Sequence, residues 1–207
     1  MRARHKRWAE PYLEGHPDIV ISNLADHADF FLHHPLYLEI GAGKGDFVLS
    51  MAQKGGYWIA LERETSISGL LAKKISESAL TNILVYPTDF DVASEGLKAY
   101  SFDGIYLNFS DPWPKKKHWK RRLTTSERLY AMALLLKEGG TIAFKSDNLA
   151  LYEFTKEEAA KVQGLLLVED QPIYAFDATH DAMSEYERNF RSQGLSIHRL
   201  VYRKTSR

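Results

Sequence analysis

The chain contains no cysteine among its 207 residues. That excludes disulfide staples, thiolate metal sites and a cysteine nucleophile, and it suits a reducing compartment. Neither sign of charge is in excess, since 27 Lys and Arg balance 27 Asp and Glu, so net charge points to no class of partner. No stretch approaches the roughly 18 apolar residues of a membrane span. The opening Met1 to Trp8 is basic, but no apolar run of about 7–15 residues follows, so it does not read as a secretory signal. Repeats and low-complexity linkers are also missing. What is present is 44% hydrophobic against 26% charged residues, enough for a sizeable core and too little charge for a disordered polyelectrolyte. The expectation is a cytoplasmic protein with a basic N-terminal arm and leading helix over 1–35 and a single domain over 36–207.

From residue 36 onward, short apolar runs alternate with helical periodicity. Leu36–Ile40, Tyr57–Leu61, Ile83–Tyr86, Phe102–Phe109 and Thr141–Lys145 read as strands. Helices are expected over 45–54, 66–79, 90–100, 124–137 and 149–162. The fourth of these opens with a Thr-Thr-Ser-Glu cap and is broken by Gly139-Gly140. Two further strands follow at 165–169 and 195–203, with loop and a short helix between Gln171 and Gly194. Parallel neighbours need crossover helices, so this order argues an α/β fold. The expected architecture is a doubly wound, mostly parallel seven-stranded sheet with helices on both faces and an antiparallel last strand.

Glu39-Ile40-Gly41-Ala42-Gly43-Lys44-Gly45 lies between the first strand and the first helix. Glycines there permit a tight turn and let a ligand approach bare backbone in the crevice at the carboxyl ends of the strands. The spacing G-x-G-x-G differs from the G-x-G-x-x-G of dinucleotide binders. Glu39 would face a pyrophosphate unfavourably and suits a cationic ligand. Glu62, 17 residues after Gly45 at the end of the second strand, is placed to accept from two ribose hydroxyls. A nucleoside with positive charge and no phosphate fits both acids, and S-adenosylmethionine is such a molecule. Asp89, after the third strand, has two readings: acceptor for the adenine amino group, or N-cap of the next helix.

Asn108-Phe109-Ser110-Asp111-Pro112-Trp113-Pro114 ends the fourth strand. Its prolines make a rigid corner that carries a carboxylate and an indole, a combination suited to a nucleobase pocket. Lys115 through Arg122 then brings six fixed positive charges in eight residues, leaving −6 on the other 199. Such a run holds backbone phosphates without reading sequence, with Trp119 as a stacking group. Arg2, Arg4, Lys6 and Arg7 are candidates for a second basic arm.

These residues resemble the bacterial tRNA (guanine-N7-)-methyltransferases. The most specific block runs from Asn108 through Leu123, and Leu38-Glu39-Ile40-Gly41, Ala60-Leu61-Glu62 and Lys145-Ser146-Asp147-Asn148 add to it. The resemblance implies a Rossmann-like class I methyltransferase that moves a methyl group from S-adenosylmethionine to N7 of a guanine in the tRNA variable loop, at position 46 in tRNA numbering. S-adenosylhomocysteine would be the product. By the same resemblance Glu39, Gly41, Gly43, Gly45, Glu62, Asp89 and Asp111 lie at the cofactor, and Asp111 is also the catalytic residue. Lys115 and Asp147 match substrate contacts, as do Ser184, Tyr186 and Glu187, where serine stands for the family's threonine. Lys117, His118, Trp119, Lys120, Arg121 and Arg122 match its RNA-contacting segment, with Lys117 in place of the usual arginine.

Three rival readings carry less of this pattern. An enzyme acting on an exocyclic amine would show two prolines after the acid, where this chain has one. An RNA-binding protein on an inactive methyltransferase fold would not need intact Glu39, Glu62 and Asp111. A nicotinamide oxidoreductase is disfavoured by the glycine spacing. The eight histidines show no ligand spacing, so no metal is expected, and the sequence leaves monomer and homodimer both open.

Overall fold

The computed structural model describes residues 6–206. Seven strands form one sheet in the order β3-β2-β1-β4-β5-β7-β6. They are β1 (Leu36–Ile40), β2 (Tyr57–Leu61), β3 (Ile83–Tyr86), β4 (Phe102–Asn108), β5 (Leu136–Ser146), β6 (Leu165–Gln171) and β7 (His198–Lys204). Neighbours from β3 to β5 pair in parallel, while β7 runs antiparallel to both β5 and β6. The expected architecture is therefore observed, with its antiparallel last strand placed inside the sheet.

Among the described residues seven α-helices accompany the sheet: α1 (Ala9–Glu14), α2 (Asp46–Lys54), α3 (Thr65–Glu77), α4 (Phe90–Leu97), α5 (Ser126–Leu135), α6 (Leu149–Ala159) and α7 (Glu185–Ser192). Strand residues alternate between two cores, as the twofold period of a strand requires. Ile59 and Leu61 join Phe90, Leu97, Leu129 and Met132 in one cluster, while Trp58 and Ala60 join Phe47, Val48, Leu71 and Ile75 in the other. Thus α1–α3 and α4–α6 cover opposite faces. Gly69 lets α1 dock directly on α3, because a Cβ there would stand 2.6 Å from the Ala9 Cβ. The leading segment also caps an edge of the sheet. Ile21 N–H donates to the Val85 carbonyl and Val85 N–H to that of Ile19, each at 2.8 Å, which removes the free edge of β3. No helix among the described residues is long and apolar enough to cross a membrane.

Two local expectations need correction. Gly139-Gly140 does not separate a helix from a strand; it lies inside β5. Leu136 pairs with Phe102 and Thr141 with Gly104, so four residues of β5 bulge opposite one of β4. A Cβ on Gly140 would meet the Phe102 and Lys137 carbonyls at 3.0 Å, and this close backbone approach is why glycine stands there. The cap of α5 also differs. Thr125 makes no side-chain cap; instead Glu158 of α6 accepts from Ser126 N–H at 2.8 Å, an interhelix cap that local sequence does not reveal.

Candidate active site

The glycine loop leaves β1 with Gly41, Gly43 and Gly45 all in the left-handed region, at φ of 78°, 57° and 85°. Gly41 and Ala42 N–H groups donate to the Leu61 carbonyl at 2.8 and 3.0 Å, which ties the loop to the end of β2. The glycines differ in what surrounds them. A Cβ at Gly41 or Gly43 would meet nothing within 4 Å, whereas one at Gly45 would stand 2.2 Å from Leu71 Cδ1. The first two line open space; the third is needed for helix packing.

Glu39, next to the last residue of β1, is 2% exposed. Its Oε1 accepts from Asn108 Nδ2 at 2.9 Å, while its buried Oε2 has no hydrogen-bond partner among the described residues. Burial pushes the carboxyl up to about 8. The Asn108 hydrogen bond and the Lys145 charge oppose that rise, and the neighbouring carboxylates of Glu62 and Asp181 add to it. A buried acceptor without a partner, two residues before Gly41, is suited to a ligand carrying positive charge or donor hydrogens. Ser110 Oγ, on the segment after β4, is likewise buried and unpartnered.

Glu62 is held at the next strand end, its Oε2 accepting from Gly43 N–H at 3.0 Å and its Oε1 from Glu64 N–H at 2.9 Å. Each oxygen keeps a lone pair for a further donor. Asp89, at the end of β3, accepts from Val92 N–H at 3.0 Å as the N-cap of α4. Beyond β4 the backbone is strained: Phe109 and Trp113 hold φ of 55° and 41°, conformations that non-glycine residues adopt at a cost of order 1–3 kcal/mol each. Asp111 projects between them, 69% exposed, with Arg63 Nη2 3.8 Å away. Asp147, just past β5, is half-buried and makes no hydrogen bond or ion pair among the described residues.

The basic run forms a 3₁₀ turn over Lys116–Arg121 directly after the Asp-Pro-Trp-Pro corner. Arg122 donates through Nε to the Pro112 carbonyl at 2.9 Å and lies over the Phe154 ring, so it braces the corner. Arg121 lies over the Trp113 indole at 4.9 Å, and His118 meets that ring edge-on at 5.8 Å. Lys115, Lys117 and Lys120 are exposed, and Trp119 is 37% exposed. Of the N-terminal arm, Arg2 and Arg4 lie outside the described residues, while Lys6 N–H donates to Ser66 Oγ at 2.9 Å.

The segment between β6 and β7 folds back against the glycine loop. Lys44 pairs with Glu185 at 2.9 Å, and Asp46 pairs with both Lys74 and Arg188. Ser184 caps α7 by accepting from Glu187 N–H at 3.1 Å, and Tyr186 stands 60% exposed. Glu187, by contrast, is fully buried. Its Oε2 accepts from Lys145 Nζ at 2.7 Å and its Oε1 from Arg191 Nε at 3.0 Å. Lys145, 1% exposed, also donates to Asp181 Oδ2 at 2.8 Å and to the Ala182 carbonyl at 2.9 Å. Motif reading named Lys145 in Lys145-Ser146-Asp147-Asn148 without giving it a role, and it passed over Asp181. A lysine closing the apolar strand run Thr141-Ile142-Ala143-Phe144 was a usable signal; for Asp181, in an aperiodic loop, there was none.

The strand ends thus bring Glu39, the glycine loop, Glu62, Asp111 and Asp147 to one side of the sheet, with α7 over the loop. A family model described as "Putative methyltransferase" matches residues 33–200. A tRNA (guanine-N(7)-)-methyltransferase of Staphylococcus haemolyticus is 37% identical over 97% of this chain and 96% of its own length. One from Bacillus subtilis is 34% identical over 96% and 97%. Among solved structures, a 16S rRNA methyltransferase superposes with a TM-score of 0.64 at 13% identity, covering 89% of this chain and 94% of its own, a likeness of fold. With more than three quarters of the chain inside the family model and full-length relatives above 30% identity, the chain belongs to the tRNA (guanine-N7)-methyltransferase family.

Proposed function

We propose that this protein transfers a methyl group from S-adenosylmethionine to N7 of the guanine at position 46 in the variable loop of cytoplasmic tRNA. The observation that carries the reading is the buried Glu39 carboxyl, its Oε2 without a partner among the described residues, followed in the chain by a glycine loop with open space at Gly41 and Gly43. Glu39 and Glu62 hold the donor in this reading, Glu62 through ribose hydroxyls and Glu39 by accepting from its cationic amino-acid part. Asp89, Gly45 and Asp111 complete the pocket. When bound, the donor supplies a methyl carbon activated by an adjacent positively charged sulfur.

Guanine N7 already has a free lone pair, so no residue must remove a proton before attack. What the chain supplies is alignment and charge. As the N–C bond forms, positive charge develops on the guanine ring. A carboxylate at its N1–H and N2–H₂ edge binds that cation better than the neutral base. Asp111 and Asp147 are assigned to this edge, since neither is committed to a close hydrogen bond in the free protein. Lys115, Ser184 and Tyr186 border the substrate, while Glu187 acts through Lys145 by keeping α7 in place. The 117–122 segment holds the RNA backbone.

The test is methyl transfer from labelled donor to tRNA lacking N7-methylguanosine, with the product mapped by chemical cleavage and Asp111→Ala run alongside. One variable-loop site, lost in the variant, supports the reading. Donor binding without transfer would move the assignment to an RNA-binding protein on this fold.

A further inference from the structure

Arg63 follows Glu62 at the end of β2, outside every motif that marks the site. With Trp113, Arg121 and Arg128 it lines a cavity of about 390 Å³. The three guanidinium groups are not equivalent. Arg128 is committed: Nε and Nη2 donate to both oxygens of Asp91, and Nη1 donates to the Lys120 and Arg122 carbonyls at 2.7 and 3.0 Å. It is a strut that pins the 3₁₀ turn to α4. Arg121 makes no hydrogen bond or ion pair among the described residues and only lies across the Trp113 ring. Arg63, two-thirds exposed, has Asp111 at 3.8 Å, a charge contact too long for a hydrogen bond. Two guanidinium forks with unused donors therefore face a cavity that has an indole wall, and among the described residues Asp111 is the single carboxylate paired with either.

We propose that Arg63 and Arg121, which line one cavity, close together on one backbone phosphate of the RNA, beside the reacting guanosine, and that the Arg63–Asp111 contact opens as they do. The inference rests on the tRNA reading above and adds to it a residue that follows β2, outside the basic run. Planar guanidinium forks match phosphate oxygens two at a time, which an ammonium does not. The indole gives the adjacent base or sugar an apolar wall. In the free protein Arg63 stands beside Asp111, 3.8 Å away. Drawn onto a phosphate, it leaves that carboxylate free for the guanine edge, so binding of the correct strand completes the site.

The experiment compares wild type with Arg63→Ala and Arg63→Lys. It measures tRNA dissociation constants across a salt series, steady-state kcat and KM for unmodified tRNA, and the S-adenosylmethionine dissociation constant. Expected for Arg63→Ala is a rise of about three- to tenfold in Kd and KM for tRNA, the scale of one solvent-exposed charge-assisted contact. The log–log salt slope should flatten by about 0.7–0.9, one phosphate contact. Turnover and donor affinity should stay within about twofold, and Arg63→Lys should recover only part of the loss. An unchanged tRNA Kd and salt slope in Arg63→Ala, with wild type active, overturns the inference while leaving the tRNA reading intact. So does a fall in donor affinity that accounts for the whole loss, because Arg63 would then act through Glu62. A wild-type protein that does not methylate tRNA overturns the underlying reading and the inference together.

Discussion

Lys145 and Glu187 meet at 2.7 Å in the interior although 42 residues separate them in the chain. One ends β5 and the other lies in the first turn of α7, so this buried pair joins the sheet to the segment over the glycine loop. Asp181 and Tyr174 extend the network, the tyrosine hydroxyl donating to Asp181 Oδ2 at 2.8 Å. Burying charge is costly, and the geometry offsets that cost by giving Lys145 three acceptors. Phe109 and Phe190, ring centroids 5.6 Å apart, make a second link between the end of β4 and α7.

Removing the lysine while leaving both acids buried should be severe. Lys145→Met is expected to destabilise the fold by about 3–5 kcal/mol, read as a lower urea midpoint. Adding Asp181→Asn to that variant should recover part of the loss, because Asp181 is left with the Arg199 guanidinium at 3.8 Å, whereas Glu187 keeps Arg191 at 2.8 Å. Equal stability of Lys145→Met and wild type would show that the network does not hold α7.

The elevated Glu39 carboxyl gives a pH signature. Its folded value of about 8 lies above the ordinary 4.5. Between those limits the folded protein keeps a proton that the unfolded chain has released. Its contribution thus lowers stability progressively as pH rises from 4.5 toward 8, by up to about 1.4 kcal/mol per pH unit. Glu39→Gln removes this slope. Its melting temperature relative to wild type should rise between pH 5 and pH 8, while its affinity for S-adenosylmethionine falls. A pH-independent difference in melting temperature would show that Glu39 is ionised in the free protein.

Two glycines of one loop should fail in different ways. Gly43→Ala places a methyl group in open crevice at the cost of a left-handed backbone, about 1–2 kcal/mol. It should weaken donor binding more than it weakens the fold. Gly45→Ala adds a collision with Leu71 and an overpacking cost of about 1–3 kcal/mol more. Thermal melts and donor titrations on the same samples separate the two effects, and equal stability loss in both variants would contradict this division.

For the carboxylates, Asp111→Asn and Asp147→Asn should lower turnover by roughly 10- to 150-fold, the value of one charge-assisted hydrogen bond made chiefly in the transition state. Single-turnover rates at saturating tRNA isolate the step. If neither substitution slows it, neither group stabilises the developing charge.

Local sequence determined much of this molecule. The strands β1 to β4 and the second half of β5 were legible because a parallel strand covered on both faces is a short apolar run, and Leu36–Ile40 and Tyr57–Leu61 have those bounds in the structure. The glycine loop, Glu39, Glu62 and the Asp-Pro-Trp-Pro corner were legible for a related reason. Tight turns and ligand-facing backbone demand particular residue types at fixed spacing.

Tertiary structure decided what depends on partners distant in the chain. Gly139-Gly140 reads as a helix stop until Phe102 is seen crossing it, and Thr-Thr-Ser-Glu reads as a cap until Glu158 arrives from α6. The acid of Ser184-Glu185-Tyr186-Glu187 reads as a substrate contact, and only the fold shows its carboxylate enclosed by Lys145 and Arg191. Arg63 acquires meaning only beside Asp111 and Arg121. Dihedral preference and hydrophobic period are properties of a residue and its close neighbours, so sequence carries them. Burial of a charge and convergence of donors on one cavity are set by packing between distant segments, and only the folded chain shows them.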